Sequence, residues 1–223
     1  MYLDALVRRF RDRPFFETRE VEALFDEPRP QVQARLSRWV ANGKLVRLRR
    51  GKYLLPAFYR RVEPSVYYIS NYLLRPSYVS LHSAMEYHGL IPEGVGVLQA
   101  LTPKHGSKWA TPVGSFRYQS VGQDRFFGYR SYSLGRGQVP LEGGPTAAQQ
   151  AFLMAVPEKA ILDLFYLSPG EWSRERIVEM RFQNVDQIDG DRLRELAARY
   201  ASPKVTRATE RFILIHSSAR PGQ

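Results

Sequence analysis

Apolar positions in residues 1–61 recur at helical spacing and then switch to alternation. In "MYLDALVRRFRDR", Leu3, Leu6, Val7 and Phe10 form one stripe, which predicts a helix over Tyr2 to Arg11, stopped by Pro14. Thr18 is predicted to cap a second helix. Its first turn sets Glu20 and Glu22 against the positive end of the dipole, and Val21, Leu24 and Phe25 supply its core side. "DEPRP" breaks that helix, because each proline pushes the preceding residue away from helical geometry, while Pro30 suits the first position of a third helix. From Pro30 to Ala41, Val32, Leu36, Trp39 and Val40 fall within one arc. Gln31, Ala34, Ser37 and Arg38 face away, with Gln33 and Arg35 on the flanks. Asn42-Gly43 closes the helix. "KLVRLRRGKYLLP" then alternates Val46 and Leu48 with Arg47 and Arg49, turns at Arg50-Gly51 and returns through Tyr53-Leu54-Leu55. Three helices and a hairpin predict a winged helix-turn-helix domain over residues 1–56.

"PAFYRRVEP" is bracketed by prolines and reads as a linker, residues 57–64. A larger mixed α+β domain is expected over 65–216, with a small, mainly antiparallel sheet and flanking helices, so the fold class is α+β. Val66 to Leu74 reads as helical. "YVSLHSAMEYHGLIPEG" reads as a short strand entering a helix capped by Ser80 and ended at Gly89 and Pro92. "VGVLQALTP", "GSFRYQSV" and "FFGYRSYSL" have strand composition. From Thr146 the pattern turns helical through Ala151, Phe152 and Ala155, and Pro157 starts a further helix. Asp189 is predicted to cap "DRLRELAARYA", Pro203 fits the first turn of a last helix, and 217–223 reads as a flexible tail.

Charge adds a function to this outline. The net charge is +11, and residues 1–61 carry 15 Lys+Arg against 7 Asp+Glu, so most of the excess sits in the first domain. Such asymmetry points to a polyanion, and the third helix offers the side chains that read double-stranded DNA. Arginine can give two parallel donors to guanine, and glutamine a donor and an acceptor to adenine. The candidate DNA-binding residues are Gln31, Gln33, Arg35, Ser37 and Arg38 on the helix. Arg47, Arg49, Arg50 and Lys52 on the hairpin and Arg60 and Arg61 in the linker could reach phosphates or a minor groove.

Other chemistries find little support. The chain has no cysteine, and its four histidines, His82, His88, His105 and His216, lack a spacing that would place two ligands on one helical face, so no metal or cofactor is expected. Neither "GVG" nor "EGG" forms a phosphate-cradling loop, and "PEKAILD" lacks the carboxylate-lysine spacing of a metal-dependent nuclease. Glu158, Lys159 and Asp163 are expected to pair on the solvent side of a helix. His82 and His88 are expected to be buried and hydrogen-bonded. Arg117, Arg125 and Arg130 alternate with aromatics that are expected to form a packed sheet face. No apolar run reaches the ~18 residues of a membrane span. The N-terminus lacks the pattern of a secretory signal, so a cytoplasmic protein without membrane contact is expected. A nucleic-acid-processing enzyme targeted by the winged helix, or a module that contacts a protein partner, would be the alternatives.

The order of segments resembles the AbiEi-type antitoxins of bacterial type IV toxin-antitoxin systems. The resemblance is carried by "GKLVRLRRGKYLLP", "YVSLHSAMEYHGLIPEG" and "VPEKAILDLFYL" and spans roughly residues 3 to 215. It implies a non-enzymatic transcriptional autorepressor that binds inverted repeats near its own promoter, with two copies on the DNA. It also implies antagonism of a nucleotidyltransferase-like toxin that need not involve contact. The family includes regulators with no evident toxin, so a stand-alone transcription factor is a further alternative.

Overall fold

The computed structural model describes residues 2–92, 94–133 and 150–217, and the chain is mixed α+β. It divides into two compact units. One takes the described residues of 1–73, 109–115 and 132–152, the other those of 74–108, 116–131 and 153–223.

The first unit runs α1 (Leu3–Phe10), β1 (Phe16–Glu17), α2 (Thr18–Phe25), α3 (Arg29–Ala41), β2 (Val46–Arg49), β3 (Lys52–Leu54) and α4 (Val66–Leu73). Its sheet has the order β1-β3-β2 and is antiparallel throughout, pairing Phe16 with Tyr53 and Arg47 with Tyr53 across the two ladders. The apolar stripes converge as the periodicity requires: Leu6 and Phe10 of α1, Val21 of α2, and Val32, Leu36 and Trp39 of α3 are all buried in one cluster with Phe16, Leu45, Tyr53 and Leu55. Phe10 stacks on Phe16 with ring centres 4.4 Å apart. Burying an aliphatic or aromatic side chain of this kind stabilises by roughly 1.5–3 kcal/mol, so the cluster sets the pose of α3.

Local chemistry places the ends. At the start of α2 the cap is Glu17 rather than Thr18, and Glu20 reaches back to accept the Glu17 amide at 2.8 Å. Thr18 is instead the buried first residue of the helix. Gly43, at φ +67°, follows the last turn of α3 in the left-handed region that closes helices. β1 went unanticipated, because a two-residue strand has no alternation to read.

The second sheet has the order β6-β7-β5-β4-β9-β8, formed from β4 (Tyr78–Val79), β5 (Val97–Thr102), β6 (Ser107–Thr111), β7 (Gly114–Ser120), β8 (Tyr129–Tyr132) and β9 (Phe152–Ala155). β4 pairs antiparallel with β5 and parallel with β9, so the sheet is mixed. The helices of the second unit are α5 (Leu81–Tyr87), α6 (Pro157–Leu167), α7 (Arg174–Glu179), α8 (Gly190–Ala198) and α9 (Pro203–Ser217). α6 packs against α5, α8 and α9, with Phe165, Trp172, Tyr200 and Phe212 fully buried. Asp189 caps α8 as expected, accepting the amides of Asp191 and Arg192 at 2.9 and 3.1 Å.

Two further expectations are corrected. Residues 152–155 form strand β9, not a helix. Phe152, Met154 and Ala155 are all buried on a strand paired on both sides, and such a strand reads as a continuous apolar run that periodicity does not separate from a buried helix. The earlier part of that helical reading, residues 146–149, lies outside the described residues, as does 218–223 of the expected tail. Second, Glu158, Lys159 and Asp163 are not on the solvent side of α6: all three are buried, the latter two completely.

Candidate nucleic-acid interface

The candidate interface is built on α3. Since its turns bury Val32, Leu36 and Trp39, rotation by 100° per residue leaves Gln31, Gln33, Ala34, Ser37 and Arg38 exposed and Arg35 half-buried. Beside it stands the β2–β3 hairpin. Gly51 turns it at φ +76°, and its carbonyl accepts the Thr18 amide at 3.0 Å, which fastens the tip to the start of α2. Arg47 and Arg50 are both exposed on this hairpin.

These elements enclose a polar cavity of about 470 Å³. Gln33 and Ser37 line it from α3, Arg47 and Arg50 from the hairpin, and Arg19 and Arg29 from the starts of α2 and α3. The lining thus includes four arginines and one acidic residue, Glu17, which is already paired with Arg19 and Lys52, each at 2.7 Å. Burial would lift the Glu17 carboxyl, but the Lys52 and Tyr72 hydrogen bonds and the charges of Lys52 and Arg19 outweigh it and hold it below the usual carboxylate range. The cavity is therefore a net cationic concavity flanked by amide and hydroxyl groups, suited to an anionic backbone carrying hydrogen-bonding edges.

Gln33, Ser37, Arg47 and Arg50 come together around this cavity. Gln31 and Arg38 are exposed on the same helix without lining it. Arg49 is exposed like Arg47 and Arg50, but it is anchored within the first unit: its guanidinium donates to the Leu73 carbonyl at 2.9 Å and lies 4.1 Å from the centre of the Trp109 ring. Lys52 donates to Glu17 and sits 4.1 Å above Tyr72. Arg60 forks onto Glu63 at 2.7 and 3.2 Å. Arg61 is exposed, 3.8 Å from Asp12, and its amide is tied to the Arg11 carbonyl at 2.7 Å. Arg19 and Arg29 were missed by sequence reasoning. Their signal was position, since each stands in the first turn of a helix whose start the chain's punctuation marks.

His88 donates from Nε2 to the Ala155 carbonyl at 2.9 Å, and His82 lies 3.3 Å from Gln99, both half-buried. Arg125 donates to the Tyr200 carbonyl at 3.1 Å and pairs with Asp124, whereas Arg117 and Arg130 are exposed on β7 and β8. The interleaved aromatics Phe116, Tyr118 and Phe127 are buried. Lys159 and Asp163 bond to each other; Lys159 also donates to the Tyr78 hydroxyl at 2.9 Å and to the Tyr200 hydroxyl, and Asp163 accepts from Ser80 at 2.7 Å. Ser80 therefore stands at the start of α5 without capping it. Burial pushes the Lys159 amine down, opposed by Asp163, and the Tyr78 and Tyr200 hydroxyls are pushed up by burial and by the Asp163 charge. Among the described residues no group of three His, Asp or Glu side chains could hold a metal ion, and no helix is long and apolar enough to cross a membrane.

Residues 4–56, about a quarter of the chain, match the model described as transcriptional regulator, AbiEi antitoxin. The match covers α1 to β3 and with them the whole lining of the cationic cavity. It supports an AbiEi-type antitoxin and with it transcription regulation and DNA binding. No curated protein matches the chain.

Proposed function

From an N-terminal segment matching AbiEi antitoxin transcriptional regulators, we propose that residues 1–56 are a winged helix-turn-helix that binds a specific double-stranded DNA operator. On this reading α3 enters the major groove and the β2–β3 hairpin is the wing. The observation that carries it is the shared cavity. The polar face of α3, through Gln33 and Ser37, and the exposed hairpin cations Arg47 and Arg50 open onto one concave cationic surface. Arg19, Arg29, Arg47 and Arg50 would neutralise phosphates and set the register, while Gln31, Gln33, Ser37 and Arg38 meet base edges.

The protein then acts without catalysis as a cytoplasmic autorepressor and antitoxin of a type IV system. Two copies occupy inverted repeats near its own promoter, and residues 65–216 antagonise a nucleotidyltransferase-like toxin through function rather than contact. Fluorescence anisotropy with duplex DNA from upstream of its gene, against a scrambled duplex across a salt series, tests the reading. Preferential binding is expected, with log Kobs falling by about 0.9 per phosphate contact for each unit of log salt. Equal, weak binding to both duplexes would remove the operator from the account.

A further inference from the structure

We propose that α4 braces the wing, and that Arg49, Lys52 and Glu17 are positioning residues that hold the hairpin for DNA rather than contacts to it. The inference rests on the DNA-binding reading above. The hairpin strands have four and three residues, and a two-stranded ribbon of that size holds no fixed pose by itself. Its third partner, β1, contributes only two residues.

The missing rigidity comes from side chains on either side of the turn. Arg49 and Lys52 are register partners flanking Arg50-Gly51, and both are tied to the last two residues of α4. Arg49 donates to the carbonyl of Leu73, one of the helix-end carbonyls that lack an intrahelical partner, and the same guanidinium is covered by the Trp109 ring. Lys52 lies over the ring of Tyr72, and both Lys52 and the Tyr72 hydroxyl bond the same Glu17 oxygen, at 2.7 and 3.0 Å. Glu17 in turn is the register partner of Lys52 on β1. α4 is itself fixed by Phe15, a buried residue between α1 and β1 whose ring centre stands 4.0 Å from that of Tyr72 and 5.7 Å from that of Tyr68.

The four hairpin cations therefore divide by role. Arg49 and Lys52 are committed to the brace, which leaves Arg47 and Arg50 for phosphates. The DNA-binding unit consequently reaches Leu73, beyond the stretch that matches the family.

The experiment uses the full chain and measures log Kobs against log salt for four proteins. Arg50→Ala should reduce the magnitude of the slope by about 0.9, the loss of one phosphate contact. Arg49→Ala should weaken binding about three- to tenfold, the equivalent of one net hydrogen bond, with the wild-type slope retained. Tyr72→Phe keeps the ring over Lys52 and removes only the hydroxyl bond to Glu17; it should behave as Arg49→Ala does and carries the test if Arg49→Ala does not fold. A change in fold stability alone would leave the affinity of folded protein unmoved. Loss of slope in Arg49→Ala equal to that in Arg50→Ala, or wild-type affinity in both brace variants, overturns the brace while leaving the DNA reading intact. Absence of binding by the wild-type chain overturns both.

Discussion

Lys159 and Asp163 stand one turn apart on α6, both with no exposed side-chain surface, and the ammonium of one is bonded to the carboxylate of the other. Two tyrosine hydroxyls and the Ser80 hydroxyl complete the set, so each charge has partners at hydrogen-bonding distance. Desolvation of two such ions is expensive, and what keeps the arrangement tolerable is that neither is ever alone. Replacing Lys159 with Met should strand the Asp163 carboxylate in the core and cost about 3–5 kcal/mol. The double replacement Lys159→Met with Asp163→Leu should recover most of that loss, because it removes both desolvation penalties. Urea denaturation of the three proteins checks this. A single variant that costs no more than about 0.5 kcal/mol, the usual scale of a surface substitution, would show that the pair does not organise the core.

Gly51 offers a local test of the hairpin. Its φ of +76° lies where side chains with a Cβ are strained, although a Cβ there would meet only the Thr18 hydroxyl, at an ordinary 3.6 Å. Gly51→Ala should therefore destabilise by about 1–2 kcal/mol through backbone strain alone. Gly51→Asn should cost less, since asparagine enters the left-handed region more readily. Equal thermal shifts for the two variants would contradict a cost set by φ.

The outline of the first unit was legible because its first three helices are amphipathic and its breaks are written in proline and glycine. Val32, Leu36 and Trp39 point where the helical period puts them, and Asp189 caps as its position predicts. What escaped was set by partners distant in sequence. β9 is a strand because β4 and β8 flank it, and the spacing of Lys159 and Asp163 is equally that of a solvent-side pair until Tyr78 and Tyr200 are known to cover it. At the candidate interface, residue type alone treated all four hairpin cations alike. The anchoring of Arg49 depends on Leu73 and Trp109, which no local pattern connects to it. Arg19 and Arg29 joined the cavity through the relative pose of α2 and α3, again a tertiary fact.

Base reading and phosphate contact separate by variant. Gln33→Ala removes a side chain that lines the cavity from α3, and should cost about 1–3 kcal/mol of discrimination at one base pair while leaving the salt slope unchanged. Arg47→Ala should weaken all duplexes alike and reduce the slope. Competition binding with single-base operator variants decides. A uniform loss for Gln33→Ala would move that residue from base reading to general support.

The protein should also lose stability on mild acidification through His88. Burial holds its imidazole below its ordinary pKa of 6.5, against the opposing pull of the Ala155 hydrogen bond and the Glu158 charge. In the unfolded chain the same group titrates near its ordinary value, so between the two values the unfolded state binds more protons and folding weakens as pH falls. The contribution is complete above pH 6.5, declines as the pH drops through the lowered folded value, and levels off below it. His216, also depressed by burial, acts in the same direction, so the measurement must isolate one ring. Urea unfolding of wild type and His88→Gln at pH 7.5, 6.5 and 5.5 does so by difference. Wild type should lose more stability on acidification than the variant, whose amide still donates towards Ala155 but does not titrate. Parallel profiles for the two proteins would mean that the His88 ring is free to take its proton in the folded state, which its bond to Ala155 and its half-buried setting argue against.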